Sequence, residues 1–214
     1  FLSIQSLLMR RFFLLAFSLI PLSVASAGSW SAEGFLGGAH SFSSDIKIKQ
    51  DGYPDLAFSA DYETKSFEGP LYYALRAGRW DGNGGWEAEW IHLKVFVTDL
   101  PPEVQRFSIS HGYNLLMLNR GWKFGAFFLR AGGGIVFAHP ETVIRGVVSE
   151  QGYELTGPCG QFAAGRRFYF NKGVFVAAEG KFTIARAKIT IANGEASAPN
   201  MSLHGLFGLG FQID

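Results

Sequence analysis

The run VFVAAEGKFTIARAKITI at residues 174–191 alternates between apolar and polar side chains. Val176 and Phe182 fall on one face of an extended chain, whereas Glu179 and Lys181 fall on the other. Successive side chains of a β-strand point to opposite sides, so a period of two predicts a strand with one apolar and one polar face. This stretch therefore predicts a β-strand rather than a helix.

Similar alternating segments recur along the chain, separated by turn-rich pieces such as Asp81–Gly85 and Asn171–Gly173. Segments of roughly ten residues with this alternation are typical of an outer-membrane barrel. An even number of strands closes the sheet without an edge, and eight strands leave an interior filled by side chains. We therefore predict an all-β fold, an eight-stranded antiparallel up-and-down transmembrane β-barrel without a wide pore. The predicted strands are Ser31–Phe42, Leu71–Trp80, Trp86–Val97, Gln105–Asn119, Phe124–Ala138, Glu154–Phe170, Val174–Ile191 and Met201–Ile213.

The composition supports a membrane barrel more than a soluble helical protein. The 214 residues include 27 Gly and 21 Phe, and only 17% are charged. Such glycine and aromatic contents suit many short strands and aromatic girdles. The formal net charge of +1 gives no basic surface for nucleic acid, so we expect no nucleic-acid partner. Cys159 is the sole cysteine, and we interpret it as a small buried or lipid-facing residue.

The N-terminal region has the pattern of an export signal. Met9–Arg11 is basic, Phe12–Leu22 is apolar, and Ala25–Ala27 matches a cleavage site. We predict a secretory signal peptide that starts at Met9 and is cut after Ala27, with Phe1–Leu8 as upstream read-through. The predicted domains are 1–27 for this leader and 28–214 for the barrel. The predicted location is the bacterial outer membrane.

Strand alternation predicts that polar side chains face the lumen, and these side chains have two possible roles. Small barrels commonly fill their interiors with hydrogen-bonded ion pairs, because unpaired buried charge is costly. The predicted excess of cations over Glu179 also invites an anionic ligand such as phosphorylated lipid. The residues expected to face the lumen are Arg76, His92, Lys94, Asn114, Arg130, Gln161, Glu179, Lys181 and His204.

Titratable side chains cluster in the predicted hairpin from Trp86 to Asn119, and they allow a metal site. Imidazole and carboxylate ligands suit divalent metals including iron. Glu89 and His92 are three residues apart, so regular alternation separates them, and only a β-bulge would bring them together. His111 has the same difficulty. A serine-hydrolase site at Ser108 or Ser110 is disfavoured, because adjacent strand residues do not share a face.

A series of short motifs follows in order along the chain: Ala39–Ser41, Lys65–Tyr73, Glu89–Lys94, His111–Asn114, Arg130–Gly134, Ala138–Pro140 and Gly157-Pro158. This series resembles a known group of proteobacterial outer-membrane barrels described as lipid A oxidase-like. The similarity extends from about Ala39 to Phe211. More broadly, the chain resembles small barrels of the OmpA and OmpX type.

The resemblance implies oxidation of the proximal glucosamine of lipid A to aminogluconate, with O2 as co-substrate. A divalent metal such as iron would assist, and no nucleotide cofactor is expected. The implied partners are lipid A or lipopolysaccharide and the barrel-assembly machinery, with the protein acting as a monomer. The alternative is a non-catalytic structural or adhesive barrel that acts through its extracellular loops. The residues nominated on these motifs are His92, His111 and Glu179 for catalysis, Lys94, Arg130, Lys181 and Asn114 for substrate binding, and Glu89, His92, His111 and His139 for metal.

Overall fold

The computed structural model describes residues 28–213, and all its regular elements are β-strands. No helix in this range is long and apolar enough to cross a membrane. The strands are β1 Ser29–Phe42, β2 Ser44–Gln50, β3 Leu56–Ala60, β4 Tyr62–Glu63, β5 Tyr73–Asp81, β6 Gly84–Val97, β7 Val104–Phe124, β8 Phe127–Ala138, β9 Glu141–Ile144, β10 Val147–Glu150, β11 Glu154–Tyr169, β12 Val174–Ile191 and β13 Gly194–Ile213.

Eight long strands close into a ring in the order β1, β5, β6, β7, β8, β11, β12 and β13. Neighbours are antiparallel, and β13 closes the ring by pairing with β1 from Trp30↔Ile213 to Phe42↔Met201. Closure satisfies the backbone hydrogen bonds that lipid could not satisfy. The predicted eight-stranded up-and-down barrel is therefore confirmed.

The outside of the ring is an apolar belt. Phe207 is 76% exposed, and Phe162 and Phe182 on neighbouring strands also point outward. Large exposed apolar side chains in alternate positions of every long strand are the signature of a surface solvated by lipid. The predicted two faces of residues 174–191 are found in β12, where inward residues are buried and outward residues are exposed.

One end of the barrel carries short turns, and the other carries two extra hairpins, β2–β3 and β9–β10. By the usual orientation of such barrels, the hairpin end is extracellular, and we call it the outer end. Ile46 and Ile144 from these hairpins join an apolar core that fills the interior here. Arg145 donates hydrogen bonds of 3.0 Å to Oε1 of Gln50 and to the carbonyl of Pro54, which ties the hairpins together. The lumen is closed at this end.

Two predicted strand boundaries differ from the structure by five residues or more, and the others by three or fewer. β7 continues to Phe124, past the predicted end at Asn119, and turns at Gly125, whose positive φ of 64° suits glycine. Residues 194–200, which lie between the last two predicted strands, belong to β13, because Ala196 and Ala198 point inward while the strand pairs with β12 and β2. The predicted signal peptide lies outside the described residues.

The closed interior predicts that the folded protein does not conduct ions. We expect no stable channel steps when it is reconstituted in a planar bilayer, because apolar side chains and ion pairs fill the ring. A heat-denatured sample controls for leaks caused by unfolded chains. A reproducible ohmic conductance of the folded barrel would contradict the sealed lumen.

Candidate functional site

A cluster of charged side chains fills the half of the interior nearer the short turns. It holds four carboxylates and four cations, so the predicted excess of positive charge in the lumen is wrong. Three of the carboxylates had not been assigned to the lumen, and they lie at ordinary inward positions of β1 and β6. The members are Glu33, Glu87, Glu89, Glu179, Arg76, Arg130, Arg167 and Lys181.

The side chains of the interior cluster are buried and pair with one another. Arg76 Nη2 lies 2.8 Å from Glu89 Oε1 and 2.7 Å from Glu179 Oε1. Arg130 Nη1 lies 2.8 Å from Glu179 Oε2, and Lys181 pairs with Glu89. Each of these side chains is buried, so a membrane lipid has no access to them. Glu179, Arg130 and Lys181, nominated for catalysis or substrate binding, are placed here as structural ion pairs.

The structure reverses the predicted faces of β6 and the adjoining part of β7. Glu89 points inward, and regular pairing continues through His92↔Asn114 and Leu93↔Tyr113. His92 and Asn114 therefore point outward, where His92 Nδ1 lies 2.8 Å from Asn114 Oδ1 and its ring stacks on Tyr73. Their assignment to the lumen, with that of Lys94, is wrong. The reason is that, between Glu89 and the outer end, the inward-facing side chains of β6 belong to the apolar core.

The four nominated metal ligands do not converge. Glu89 belongs to the interior cluster, whereas His92 lies on the outer face with Asn114. Only His111 and His139 are neighbours, with ring centroids 4.9 Å apart. Within residues 28–213, no group of three or more His, Cys, Asp or Glu side chains could hold a metal ion. The donor set therefore does not fit the expected metal, and we derive no chemical step through one.

A bulge in β7 replaces the predicted metal site with a different arrangement. Val95 pairs with Ile109 and Leu93 with Tyr113, so three residues of β7 lie opposite Lys94 alone. Gly112, at the end of this bulge, has a φ of 134° that favours glycine. The bulge lets consecutive side chains at its start reach the same neighbour on β9. The predicted hairpin therefore does contain a β-bulge, but the side chains of this bulge face outward.

The neighbour on β9 is Glu141, whose carboxylate is buried although two of its partners are half exposed. His111 Nδ1 and Arg106 Nη2 contact its two oxygens, and Ser110 Oγ donates to Oε1 at 2.9 Å. Ser108 Oγ accepts from Arg106 Nε at 3.3 Å. We call this set, Arg106, Ser108, Ser110, His111 and Glu141, the rim cluster.

An aromatic shelf lies directly below the rim cluster on the outer surface. Phe137 stacks on Tyr153 with centroids 5.1 Å apart, and Trp90 meets Phe137 edge-on at 6.4 Å. His139 connects the shelf to the cluster, 5.1 Å from Tyr153 and 4.9 Å from His111. Aromatic girdles in membrane barrels mark the boundary between hydrocarbon and head groups. The rim cluster therefore lies at head-group level, outside the barrel.

Comparison with known proteins identifies the architecture. No protein-family model and no curated protein matches the sequence. The outer membrane protein OprG of Pseudomonas aeruginosa is similar in structure, with 12% identity over 87% of this chain and 96% of that chain, at a TM-score of 0.50. The chain has the fold of the small outer-membrane β-barrels. Neisserial surface protein A (10% identity, 88% and 99% coverage, TM-score 0.44) and Ail of Yersinia pestis (10%, 88% and 100%, 0.41) are also similar.

The rim cluster of this barrel orients a histidine through a carboxylate. A carboxylate only accepts hydrogen bonds, so the contact with Glu141 requires a hydrogen on Nδ1 of His111. In the neutral ring the lone pair is then on Nε2, and the His111 side chain is 57% exposed. An imidazole oriented in this way by a carboxylate is the arrangement used for general-base catalysis.

The cluster is not a hydrolytic triad. The bulge does bring Ser110 beside His111, contrary to the argument from strand parity, with 3.3 Å between Oγ and Nδ1. However, Ser110 and Glu141 both contact the same ring nitrogen. A triad needs its nucleophile and its carboxylate on opposite nitrogens of the imidazole. The ring therefore cannot pass a proton from Ser110 while Glu141 holds it.

Sequence reasoning identified His111 and His139 but missed Arg106 and Glu141. Glu141 directly follows His139-Pro140, but it lies in the gap between the predicted strands Phe124–Ala138 and Glu154–Phe170. Instead Glu141 begins β9, which pairs with β7 through Ser108↔Glu141. The signal for Glu141 in the sequence was its position directly after the motif Ala138–Pro140.

Proposed function

We propose that this barrel modifies lipid A in the outer leaflet of the outer membrane, by oxidising its proximal glucosamine with O2 at the rim cluster. The observation that carries the proposal is the position of the His111–Glu141 pair, outside the barrel and just above the aromatic shelf. A base at that position meets the saccharide of a glycolipid whose acyl chains remain in the bilayer. The sequence resemblance supplies the reaction type.

The proposed role of His111 is to take a proton from the reacting sugar hydroxyl through Nε2. Glu141 keeps the ring in the required tautomer and stabilises the imidazolium that forms. The substrate is therefore lipid A that has already lost its C1 phosphate and carries a free hydroxyl at C1. Oxidation there removes the hydroxyl proton and the C1 hydrogen, and two electrons pass to O2 to give hydrogen peroxide and a lactone. Water then opens the lactone to the aminogluconate.

Arg106 and the aromatic shelf would position the substrate. The Arg106 side chain is 55% exposed, so its guanidinium can meet an anionic group of the lipid while it holds Glu141. Tyr153 and His139 offer ring faces and polar edges to a sugar. This set takes over the substrate-binding role that the sequence had assigned to Arg130 and Lys181.

Expression in a host whose lipid A lacks the C1 phosphate and is otherwise unmodified, followed by mass spectrometry of that lipid, tests the function. The expected product carries one more oxygen per lipid, and it forms only in the presence of air. Heat-modifiable mobility of the barrel on gels establishes that the protein is folded in the same cells. Unchanged lipid A beside a folded barrel would refute the activity for that lipid.

A second candidate function is non-catalytic adhesion through the extracellular hairpins. The observation in its favour is β10, which among residues 28–213 pairs with β9 alone and in which Val148 is 70% exposed. An open strand edge with an apolar side chain can accept a strand from a partner protein. This candidate predicts unchanged lipid A together with loss of partner binding when Val148 is replaced by Lys.

A further inference from the structure

A trough on the lipid-facing surface has a floor of three glycines. Gly38 of β1 pairs with Gly205 of β13, which pairs with Gly180 of β12. Phe67 and Leu203 form walls around this floor, and the cavity has a volume of about 580 Å³. It lies on the side of the barrel away from the rim cluster, with β5 and β6 between them.

The fold does not require glycine on this floor. None of the three glycines has a positive φ, so their backbone conformation is open to any residue. A Cβ at Gly180 or Gly205 would meet no atom within 4 Å. Since glycine weakens a strand and packing does not demand it here, open space is what these positions provide.

Hydrogen bonds hold the chain segment that carries the wall of the trough. Phe67 is 81% exposed, and its ring lies 3.5 Å from where a Cβ of Gly38 would stand. The segment around it is held by a bond of 3.1 Å from the Ala39 amide to Ser66 Oγ. Lys94 Nζ also donates to the Glu68 carbonyl at 2.8 Å. The exposed ring of Phe67 is thus held over the apolar glycine floor of the trough.

A polar pocket continues the trough towards the outer end. Its volume is about 380 Å³, and it shares Ala39, His40 and Thr64 with the trough. Glu63, Glu68 and Lys65 line it, and Lys65 lies 3.9 Å from Glu63. Its two carboxylates accept hydrogen bonds, so the pocket offers partners to donors such as hydroxyl or amino groups.

We infer that the trough and pocket together bind one molecule of an outer-leaflet glycolipid. One acyl chain lies on the glycine floor against Phe67, and saccharide hydroxyl or amino groups donate hydrogen bonds to Glu63 and Glu68. The change from apolar to polar across these two adjoining cavities matches an amphiphile in the orientation of the membrane. This site does not depend on the proposed oxidation, because no residue of the rim cluster takes part.

Native mass spectrometry of the folded protein, extracted from outer membranes in mild detergent, tests the inference. The wild-type barrel should retain one glycolipid per chain. Gly205→Phe fills the trough and Phe67→Ala removes its wall, and each should lower the retained fraction about tenfold, the effect of losing some ten carbon contacts. Glu68→Gln should lower it less. Ala131→Phe, on the lipid face of β8, is the matched control and should retain the lipid.

The outcomes separate the possibilities. Retention of glycolipid by wild type and by Ala131→Phe, with loss in Gly205→Phe and Phe67→Ala, supports the site. Absence of lipid from wild type, retention of phospholipid instead, or equal loss in Ala131→Phe would overturn it. His111→Asn should keep its glycolipid even if oxidation fails, so the two proposals can fail separately.

Discussion

His111→Asn is expected to lower the rate of lipid A oxidation by about 10²–10⁴-fold, the usual contribution of a general base. Glu141→Gln should be as damaging, because an amide that donates to Nδ1 moves the ring hydrogen to Nε2 and removes the base. The measurement is the fraction of oxidised lipid A over time, at matched amounts of folded barrel.

Glu195→Gln provides the matched control for these variants. Glu195 is an extracellular carboxylate that pairs with Lys188 on the outer surface, away from the rim cluster. It should leave the oxidation rate unchanged. Full activity of His111→Asn or Glu141→Gln would exclude the rim cluster as the catalytic site. Glu179→Gln should act on stability alone, which distinguishes the rim cluster from the lumen that the sequence had suggested.

Arg130→Met should lower the free energy of unfolding by about 3–5 kcal/mol, because it leaves buried carboxylates without their cation. Arg130 is fully buried and contacts Glu33, Glu87 and Glu179. Urea unfolding of the barrel refolded in detergent, followed by tryptophan fluorescence, gives the difference.

Lys188→Met removes a cation of the exposed pair with Glu195 and should change the same free energy by less than about 1 kcal/mol. Comparable losses in Arg130→Met and Lys188→Met would contradict a structural role for the interior cluster. A large loss in Arg130→Met alone, with lipid binding unchanged, would support it.

The strand count and the lipid-facing side of most strands could be predicted from the sequence. Val174–Ile191 matches β12 at both ends, and in the middle of the strand Phe182 and Ile184 outside with Glu179 and Lys181 inside leave one possible register. Arg130 was likewise placed correctly, since the glycines and apolar residues around it in β8 alternate without interruption. In these strands the hydrophobic pattern alone fixes the direction of each side chain.

The direction of His92 and the contacts of His111 depend on the tertiary structure. Near the outer end the interior becomes apolar and the exterior becomes polar, because the hairpins close the lumen while the outer surface leaves the hydrocarbon. Polar side chains such as His92 therefore point outward near the outer end, whereas polar side chains point inward in the half of the barrel nearer the short turns. The sequence by itself determined the ring of strands and its lipid belt through the period of two. The bulge at His111 and its pairing with Glu141 were decided only by tertiary structure, because both require β9 to lie beside β7, and such non-local pairing leaves no periodic trace in the sequence.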